Sequence, residues 1–452
     1  MRPLQIPRHT TVPPCPPITL EKREPVNTST TKSPRRFRRR IAIALLSTIA
    51  LAAASCGDDD DSADGTTAPA GTTAGDDTTP AETTAGGDDT TPAETTAGTG
   101  DTAPTATSAG DDVAPLTDDY SQQIARLKEV TVDTSEFAKD PPYRVATIVQ
   151  GPINGWGTIF DATMNARMEE TGKFDMENRL YVPWDFDVAN QQKGIEDAVA
   201  QGVDAIMLTS LSRAGLAASV ERATAAGIPV ILCMAGAETD EFTAEVSAEM
   251  PRMGYDSAQA VAEKIGGAGK IVMIHGIPGV DAAEFWKLGA KTAFAEYPDI
   301  EILSEQDGNW STADSLNVMR TVLVQEPEID AVWAGGFEMG VGVVDAFKEA
   351  GRDVPFIGGT GITNGFLRIA QEDGLDFFAV QFPPAGSSEC VDTMVAVLEG
   401  QPVQKYTSIV AVLPDTEPFG PERVDANYKP QFNDDFIGPA IYPDEVYTAA
   451  GF

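Results

Sequence analysis

From residue 143 onward the chain alternates short β-branched runs with longer stretches of helical periodicity. Runs such as Arg144–Gln150 and Val203–Leu208 have the length and residue types of buried strands. A stretch such as Val188–Gln201 spaces its apolar residues as a helix does and stops at Gly202. Regular alternation of this kind favours parallel sheets that are covered by helices on both faces. Because about 310 residues exceed one comfortable core, the sequence predicts two α/β lobes.

Helical periodicity recurs along the whole of this region. One helix is predicted ahead of it, within residues 113–142, at Tyr120–Val130. The other predicted helices are Trp156–Thr171, Gly215–Ala226, Tyr255–Ile265, Asp281–Tyr297, Ser311–Val324, Glu338–Ala350, Thr363–Glu372 and Ser387–Leu398.

Residues that directly follow predicted strands are the site candidates, because ligands of parallel α/β folds bind beyond the carboxyl ends of the strands. Trp156 and Trp310 come from different halves of the chain, and would enclose a flat or ring-shaped ligand if the halves face each other. The alternative is that both tryptophans are core residues. The set is rich in aromatic side chains and poor in acid–base pairs, which suits binding and not proton transfer. It comprises Asn154, Trp156, Thr209, Ser210, Met234, the stretch 277–286 with Glu284, Trp310, Gly336, Phe337, Thr360 and Gln381.

Signatures of catalysis and of cofactor binding are absent from the sequence. There is no G-x-S-x-G elbow, and Gly266–Lys270 lacks the Ser or Thr of a phosphate-binding loop. Gly358–Gly365 fits an ordinary strand-to-helix turn. With two histidines, His9 and His275, no His/Cys metal cluster can be built, although carboxylate sites for calcium stay open. We therefore predict a protein that is not an enzyme and that needs no cofactor.

The N-terminal segment indicates export and membrane attachment. A basic cluster, Arg35–Arg40, precedes an apolar run, Ile41–Ser55, that is too short to span a bilayer comfortably. Small residues then lead into Cys56, a pattern that resembles the lipobox of bacterial lipoproteins, whose cysteine is diacylated. The alternative is an ordinary secretory signal cut near the same point. Residues 1–34 are long, polar and proline-rich for a signal, so we infer a later start codon, with Val26 as the candidate.

The segment after the leader is predicted to be a disordered tether. Residues 57–112 contain only Asp, Glu, Thr, Ala, Gly, Ser and Pro, and GDDTTPAETTAG occurs there in tandem, at 75–86 and 87–98. Without large apolar side chains no core can offset the entropy of folding. The net charge of the chain, −37, disfavours contact with nucleic acid, so no such partner is expected.

The cysteines leave one question open. Cys15 and Cys56 belong to the leader and its predicted lipid site. Cys233 and Cys390 could form a disulfide in an oxidising compartment, but the sequence favours two small buried hydrophobic residues instead.

Seven stretches carry a resemblance that extends over about 143–412; in order they are INGWGTIFDATMNA, QGVDAIML, AAGIPVIL, GIPGVDAAEFWKLGAKTAF, NWSTADSLNVM, EIDAVWAGGFEMGVGVVDAFKEAG and FFAVQFPP. Together they resemble the type I periplasmic solute-binding proteins, the ribose-binding-like group that serves sugar ABC transporters. The resemblance implies two Rossmann-like lobes whose parallel sheets are joined by three hinge crossings, near Ala235, Phe382 and Pro414. The implied parts are a lead-in at 113–142, a first lobe at 143–235 and 382–412, a second lobe at 236–381, and a C-terminal extension at 413–452.

The resemblance also implies roles for single residues. Trp156 and Trp310 match stacking aromatics of the two lobes, and Gln381 matches a ligand-binding glutamine at the hinge. Four positions depart from the family pattern in side chains that would anchor a sugar. Met234 and Thr360 replace aspartates, Glu284 replaces an arginine and Gly336 replaces an asparagine.

These departures bear on the ligand. Sugar hydroxyls left without partners would cost roughly 1–3 kcal/mol each. We therefore expect a less polar ligand, uncharged or cationic, in place of a simple pentose or hexose. It would rest on the aromatic residues and Met234, with Glu284 available to a donor or a cation.

The sequence as a whole predicts a lipid-anchored, extracytoplasmic and monomeric solute-binding protein. It would deliver a small sugar-like or less polar ring-bearing molecule to the permease of an ABC importer. Two alternatives stay open: a sensory receptor of the same fold that signals ligand occupancy, and a secreted hydrolase.

Overall fold

Two parallel β-sheets, one in each lobe, organise residues 116–452, which are the residues that this computed structural model describes. The predicted leader, the lipobox at Cys56 and the tether lie outside them. The strands are β1 (Thr131–Val132), β2 (Val145–Val149), β3 (Leu180–Pro183), β4 (Ala205–Leu208), β5 (Val230–Cys233), β6 (Ala244–Ser247), β7 (Ala268–His275), β8 (Asp299–Asp307), β9 (Ala331–Ala334), β10 (Phe356–Thr360), β11 (Phe377–Val380), β12 (Val403–Gln404) and β13 (Tyr406–Ser408).

Helices cover both sheets and connect their strands. They are α1 (Asp119–Leu127), α2 (Gly155–Thr171), α3 (Val188–Gln201), α4 (Arg213–Ala225), α5 (Met250–Lys264), α6 (Asp281–Phe294), α7 (Thr312–Gln325), α8 (Phe337–Glu349), α9 (Asn364–Asp373), α10 (Ser387–Leu398), α11 (Ile409–Val412), α12 (Val424–Asn427) and α13 (Asp444–Ala449). Within residues 116–452 none of these helices combines the length and the apolar character needed to cross a membrane.

Both sheets have the same strand order, which confirms the prediction of two Rossmann-like lobes. The first sheet runs β3-β2-β4-β5-β6-β13 and the second runs β8-β7-β9-β10-β11, with every pairing parallel. In each sheet the first strand of the lobe lies between the second and the third. Loops at the carboxyl ends of the strands therefore gather at one edge of each sheet.

Local signals in the sequence define the helix ends. Asn154 accepts a hydrogen bond from the backbone N–H of Gly157 and so caps the start of α2, while Gly172 ends that helix in the left-handed conformation. Asp187 and Gly202 do the same for α3, whose bounds are the predicted ones. Such caps depend on the residue itself, so they could be predicted without the tertiary structure.

The first crossing between the lobes comes later than the resemblance implied. Ala244–Ser247 pairs with β5 and β13 as a strand of the first sheet, and α5 is the first element packed on the second sheet. The polar alternation of AEVS did not predict this strand, because Glu245 has a carboxyl side chain and is nevertheless fully buried. The first lobe thus extends to about residue 248.

Cys233 and Cys390 form a disulfide, which corrects the expectation of two unpaired cysteines. Cys233 ends β5 and Cys390 lies in the first turn of α10, with their Cα atoms 5.7 Å apart and both residues fully buried. The 157 residues of separation include the whole second sheet. The bond therefore joins the two segments of the first lobe that precede and follow the second lobe in sequence. Spacing could not reveal this pairing, because it depends on α10 returning to pack on β5.

We expect removal of this disulfide to destabilise the folded protein. Replacing Cys233 and Cys390 together by alanine should lower the free energy of unfolding by about 2–5 kcal/mol, since the denatured chain regains the freedom of a long loop. Urea denaturation followed by tryptophan fluorescence measures the change. Reductant should lower the stability of the wild type and leave the double variant unaffected; a wild type that is insensitive to reductant would contradict the assignment.

Candidate binding cleft between the lobes

The loops at the carboxyl ends of the two sheets contact each other. Trp184 and Leu211 from the first lobe form an apolar cluster with Val280 from the second. The backbone N–H of Arg213, at the start of α4, donates to the carboxylate of Asp281, at the start of α6. A side chain of one lobe thus caps a helix of the other. The two lobes are closed on each other in this structure.

A row of four aromatic rings runs between the lobes. Trp156 stacks on Phe382, with the ring centroids 5.6 Å apart and the planes at 9°. Phe382 meets the edge of Trp286 at 5.6 Å, and Trp286 meets Trp310 at 6.0 Å. The structure thus brings Trp156 and Trp310 to one interlobe row rather than to separate cores. Phe382 and Trp286 lie between them, so the two predicted rings do not face each other directly.

Trp310 occupies a slot between two glycines. A Cβ atom on Gly276 would lie 2.3 Å from the indole, and one on Gly336 would lie 2.7 Å from it. Trp310 has φ of 51°, which is uncommon for a bulky residue, and its Nε1 donates to the carbonyl of Gly335 at 2.7 Å. Gly336 is the position where the resemblance leads us to expect asparagine. The loss of that polar side chain makes room for the indole.

Several buried polar atoms near the strand ends or within the aromatic row have no hydrogen-bond partner among residues 116–452; besides the ring nitrogens of His275, which ends β7, there are three. They are the hydroxyls of Thr209 and Thr360, which directly follow β4 and end β10, and Nε1 of Trp286. Buried polar groups are normally paired, so atoms of this kind suit a polar partner from outside the chain. All three are uncharged, so they would recognise hydroxyl or carbonyl groups.

The C-terminal extension holds the side-chain amide of Gln381. Its Nε2 donates to the carbonyl oxygens of Asp415 at 2.6 Å and of Glu417 at 3.1 Å. With the amide hydrogens occupied, only the side-chain oxygen is left for a ligand. This oxygen would accept a hydrogen bond from a hydroxyl or amine donor.

Asn154 and Met234 both lie at the carboxyl edge of the first sheet. The Oδ1 atom of Asn154 accepts from the backbone of Gly157 and from the side chain of Gln150, which commits this oxygen to the helix start. Met234 is buried with φ of 62°, and its sulfur would lie 2.6 Å from a Cβ atom on Gly386. Met234 therefore packs against the returning chain of the first lobe and brings no charge to this edge.

Two predicted ligand contacts have other roles in the structure. Phe337 is fully buried and packs edge-to-face against Phe366 at 4.5 Å and near Phe377 at 5.8 Å, inside the core of the second lobe. Glu284 accepts from the backbone N–H of Gly279 and pairs with Lys287. Phe337 follows its strand closely in sequence, but α8 directs its ring into the core. The carboxylate of Glu284 is already paired with the ammonium group of Lys287.

Sequence reasoning missed several residues of the cleft. Trp286 lies one and a half turns into α6, at the end of the stretch 277–286 that the rule for residues after strands marked as a whole, but its place in the aromatic row was not predicted. Phe382 directly follows the predicted site residue Gln381, and this neighbourhood was a signal that could have identified it.

Glu338 lies beside Trp310, with its Oε2 2.9 Å from the position of a Cβ on Gly336. Burial, and to a smaller extent the charge of the nearby Asp435, raise the pKa of Glu338 to about 7.

Comparisons with known proteins agree with this architecture. The periplasmic binding protein domain family matches residues 147–402. The chain belongs to this family. The xylitol-binding protein of Mycolicibacterium smegmatis is 31% identical over 223 residues, which cover 48% of this chain and 64% of that protein. The ribose import binding protein of Escherichia coli K12 is 26% identical over 279 residues, 61% of this chain and 91% of its own length.

A solved structure shows the same fold. The binding protein of the arabinose ABC transporter from Shewanella sp. ANA-3, bound to α- and β-L-arabinofuranose, superposes with a TM-score of 0.56 at 25% identity, covering 63% of this chain and 94% of that one. The predicted resemblance to type I periplasmic solute-binding proteins is thereby confirmed, and the relatives support a solute-binding role. The match covers less than two thirds of the length of the xylitol-binding protein.

Helix α1, which precedes the family match, adds Tyr120 to the contact between the lobes. The guanidinium of Arg213 lies 4.0 Å from the ring centre of Tyr120 in α1, and that ring lies 4.9 Å from Phe285 of the second lobe. The hydroxyl of Tyr120 donates to the fully buried Glu245 at 2.7 Å. Burial raises the pKa of Glu245 to about 7, against the opposing effects of the Tyr120 hydrogen bond and the charge of Arg213.

We expect the stability of the protein to fall as the pH rises through neutrality. The pKa of Glu245 is raised on folding from 4.5 to about 7, so its contribution is complete below the unfolded pKa and is lost as the pH passes the folded pKa. At about 1.4 kcal/mol per pKa unit, the loss is up to about 3 kcal/mol. The pKa of Glu338 is raised in the same direction, so this residue should add to the loss of stability.

Denaturation midpoints between pH 5 and pH 9 test this expectation. Glu245→Gln should flatten the pH dependence and should be more stable than the wild type at pH 9. The same change at the exposed Glu241 serves as the control and should leave the slope unaltered. A Glu245→Gln variant with the slope of the wild type would show that Glu245 does not take up a proton on folding.

Proposed function

We propose that this protein captures a small sugar-like or less polar ring-bearing solute outside the cell membrane and delivers it to the permease of an ABC importer. The observation that carries the proposal is the interlobe row of Trp156, Phe382, Trp286 and Trp310. A row of aromatic faces at the junction of two hinged lobes is suited to enclosing a solute that neither lobe could bury alone. Closure needs no chemistry, because contacts made only in the closed state shift the equilibrium between open and closed forms.

The relatives support a small uncharged solute. They are a xylitol-binding protein, a ribose import binding protein and the binding protein of an arabinose transporter with bound arabinofuranose. These solutes carry several hydroxyl groups and no charge. The unpartnered hydroxyls of Thr209 and Thr360 and the Nε1 of Trp286 suit the same class of solute. The oxygen of Gln381 adds an acceptor to this set.

The cleft is poorer in charged anchors than the family pattern. Met234 and Gly336 bring no polar side chain, and Glu284 is already paired with Lys287. Aromatic rings and neutral groups would hold the solute by contact with its apolar face and by single hydrogen bonds. We therefore propose that the preferred solute has a ring with one apolar face, such as a deoxygenated, alkylated or aryl-substituted sugar.

The proposed location rests on the N-terminal segment. A lipid on Cys56 and a polar tether would hold the binding domain near its permease while leaving it free to reorient. We propose that the protein acts as a monomer, because both lobes of the cleft come from one chain.

Solute binding can be measured directly on the purified protein. We expect isothermal calorimetry and tryptophan fluorescence to detect binding of one member of a panel that pairs xylitol, D-ribose and L-arabinose with alkyl and aryl glycosides. Trp310→Ala should weaken that binding about tenfold, in line with the loss of one aromatic contact and its buried area. Phe337→Leu, a change in the neighbouring core, is the control and should lower stability while affinity is kept. Equal effects of the two changes, or no binding across the panel, would count against the proposal.

Membrane attachment depends on one cysteine in this proposal. Cys56→Ser should move the protein from the membrane fraction to the medium or the soluble extract and abolish metabolic labelling with a palmitate analogue. Ser62→Ala, a change in the predicted tether close to Cys56, is the control and should change neither result. Membrane retention and labelling of the Cys56→Ser protein would exclude Cys56 as the lipid site.

A further inference from the structure

The C-terminal extension, residues 413–452, contacts both lobes. We propose that it is a strap that travels with the second lobe and holds the cleft closed by docking on α2 of the first lobe. The inference rests on the proposed closure of the two lobes, and it assigns a conformational role to a segment that lies outside the matched family domain.

Directional hydrogen bonds fix the strap to the second lobe. Phe419 pairs with Ala379 of β11 through two backbone hydrogen bonds of 2.7 and 2.9 Å. The side chain of Asn364, at the start of α9, bonds to the backbone of Lys429, Phe432 and Asn433.

The start of α9 provides further attachments. The backbone N–H groups of Asn364 and Gly365 donate to the carbonyls of Phe436 and Asp434. Arg368 also binds both carboxylate oxygens of Asp434, at 3.2 and 2.8 Å. Because such bonds lose their energy within a small displacement, the strap and the second lobe should move as one body.

Apolar contacts join the strap to the first lobe. Phe432, Phe436, Ile437 and Tyr447 form a buried cluster with Ile159 of α2, and Trp156 packs against the same cluster. The rings of Phe432 and Phe436 are 4.4 Å apart, and those of Phe436 and Tyr447 are 5.2 Å apart. Between the strap and α2, all within the described residues, we find one hydrogen bond, from Tyr442 to Glu170 at 3.5 Å.

Hydrogen bonds hold the strap to the second lobe, whereas apolar contacts hold it to α2 of the first lobe. This difference indicates that the strap separates from α2 when the lobes part. Apolar burial is non-directional, and the contact can be broken and remade as a whole when two rigid bodies part. Opening of the lobes would carry the strap away from α2 and expose its aromatic cluster to water, which is unfavourable. The docked strap therefore favours the closed form even before a solute binds.

The strap also reaches groups of the cleft itself. Its first residues hold the amide of Gln381. At its middle, the carbonyl oxygen of Asp435 would lie only 2.1 Å from a Cβ atom on Gly155, the first residue of α2 and the neighbour of Trp156. Movement of the strap would therefore change the surroundings of both Gln381, beside the hinge, and Trp156, in the aromatic row.

The close approach at Gly155 supplies a selective test. Gly155→Ala places a methyl group where the Asp435 carbonyl lies, in a helix that otherwise accepts alanine well, so it should push the strap off α2. Gly438→Ala adds the same methyl group within the strap, where nothing lies within 4 Å, and is the matched control. The apolar cluster is probed separately by Phe436→Ala.

Hydrogen–deuterium exchange of the full-length protein without solute reads out the result. We expect Gly155→Ala and Phe436→Ala to raise exchange at least fivefold in peptides covering 436–447 and in the interlobe peptide covering 277–286. Exchange at Ala379 and at the start of α9 should stay slow, because the strap remains on the second lobe. Gly438→Ala should match the wild type.

Two outcomes would overturn the inference. If the strap peptides exchange faster while 277–286 stays protected, the lobes close without the strap. If exchange is unchanged in both variants, the strap does not dock as inferred. Since no solute is used, failure of the solute panel would leave this test intact, and a closed, strapped protein that binds nothing would separate the two proposals.

Discussion

The interlobe row of aromatic rings is the interaction on which the rest of the cleft depends. The first lobe contributes Trp156 to the junction and the second lobe contributes Trp286. Phe382, which lies where the chain returns to the first lobe, stacks on Trp156 and meets Trp286 edge to face. The ring of Trp156 is further fixed by a hydrogen bond from its Nε1 to the carbonyl of Phe382 at 2.9 Å. Phe382, where the chain returns to the first lobe, thus orients a ring of the interlobe row, so the position of that ring depends on the path of the chain between the lobes.

Small residues make this arrangement possible. Gly276 and Gly336 leave the slot for Trp310, and Gly254 and Gly289 let α5 and α6 approach until a Cβ would overlap the facing backbone. That close packing sets the position of α6 and, with it, of Trp286 and Asp281. Glycine at position 336, where the family resemblance leads us to expect asparagine, thus meets a steric requirement of the Trp310 ring.

Two separate connections join parts of the chain that lie far apart in sequence. The disulfide between Cys233 and Cys390 fixes α10 to β5 and so secures the first lobe on either side of the inserted second lobe. The strap joins the lobes without a covalent bond, through hydrogen bonds on one side and apolar burial on the other. The disulfide lies within one lobe, and the strap can separate from the other lobe. Neither connection prevents the lobes from rotating as rigid bodies about a hinge.

Strand and helix periodicity, together with local caps such as Asn154 and Gly172, determined from sequence alone that this chain forms two parallel α/β lobes. The carboxyl-edge rule brought Trp156, Trp310, Thr209 and Thr360 to the right edges of the sheets, because strand direction fixes where the loops gather. Only the tertiary structure decided that Phe337 turns into the core, that Trp286 joins the row, that Cys233 meets Cys390 and that the C-terminal extension spans both lobes. Those outcomes depend on how helices pack against sheets and on contacts between residues hundreds of positions apart, and a local pattern of side chains carries no record of either.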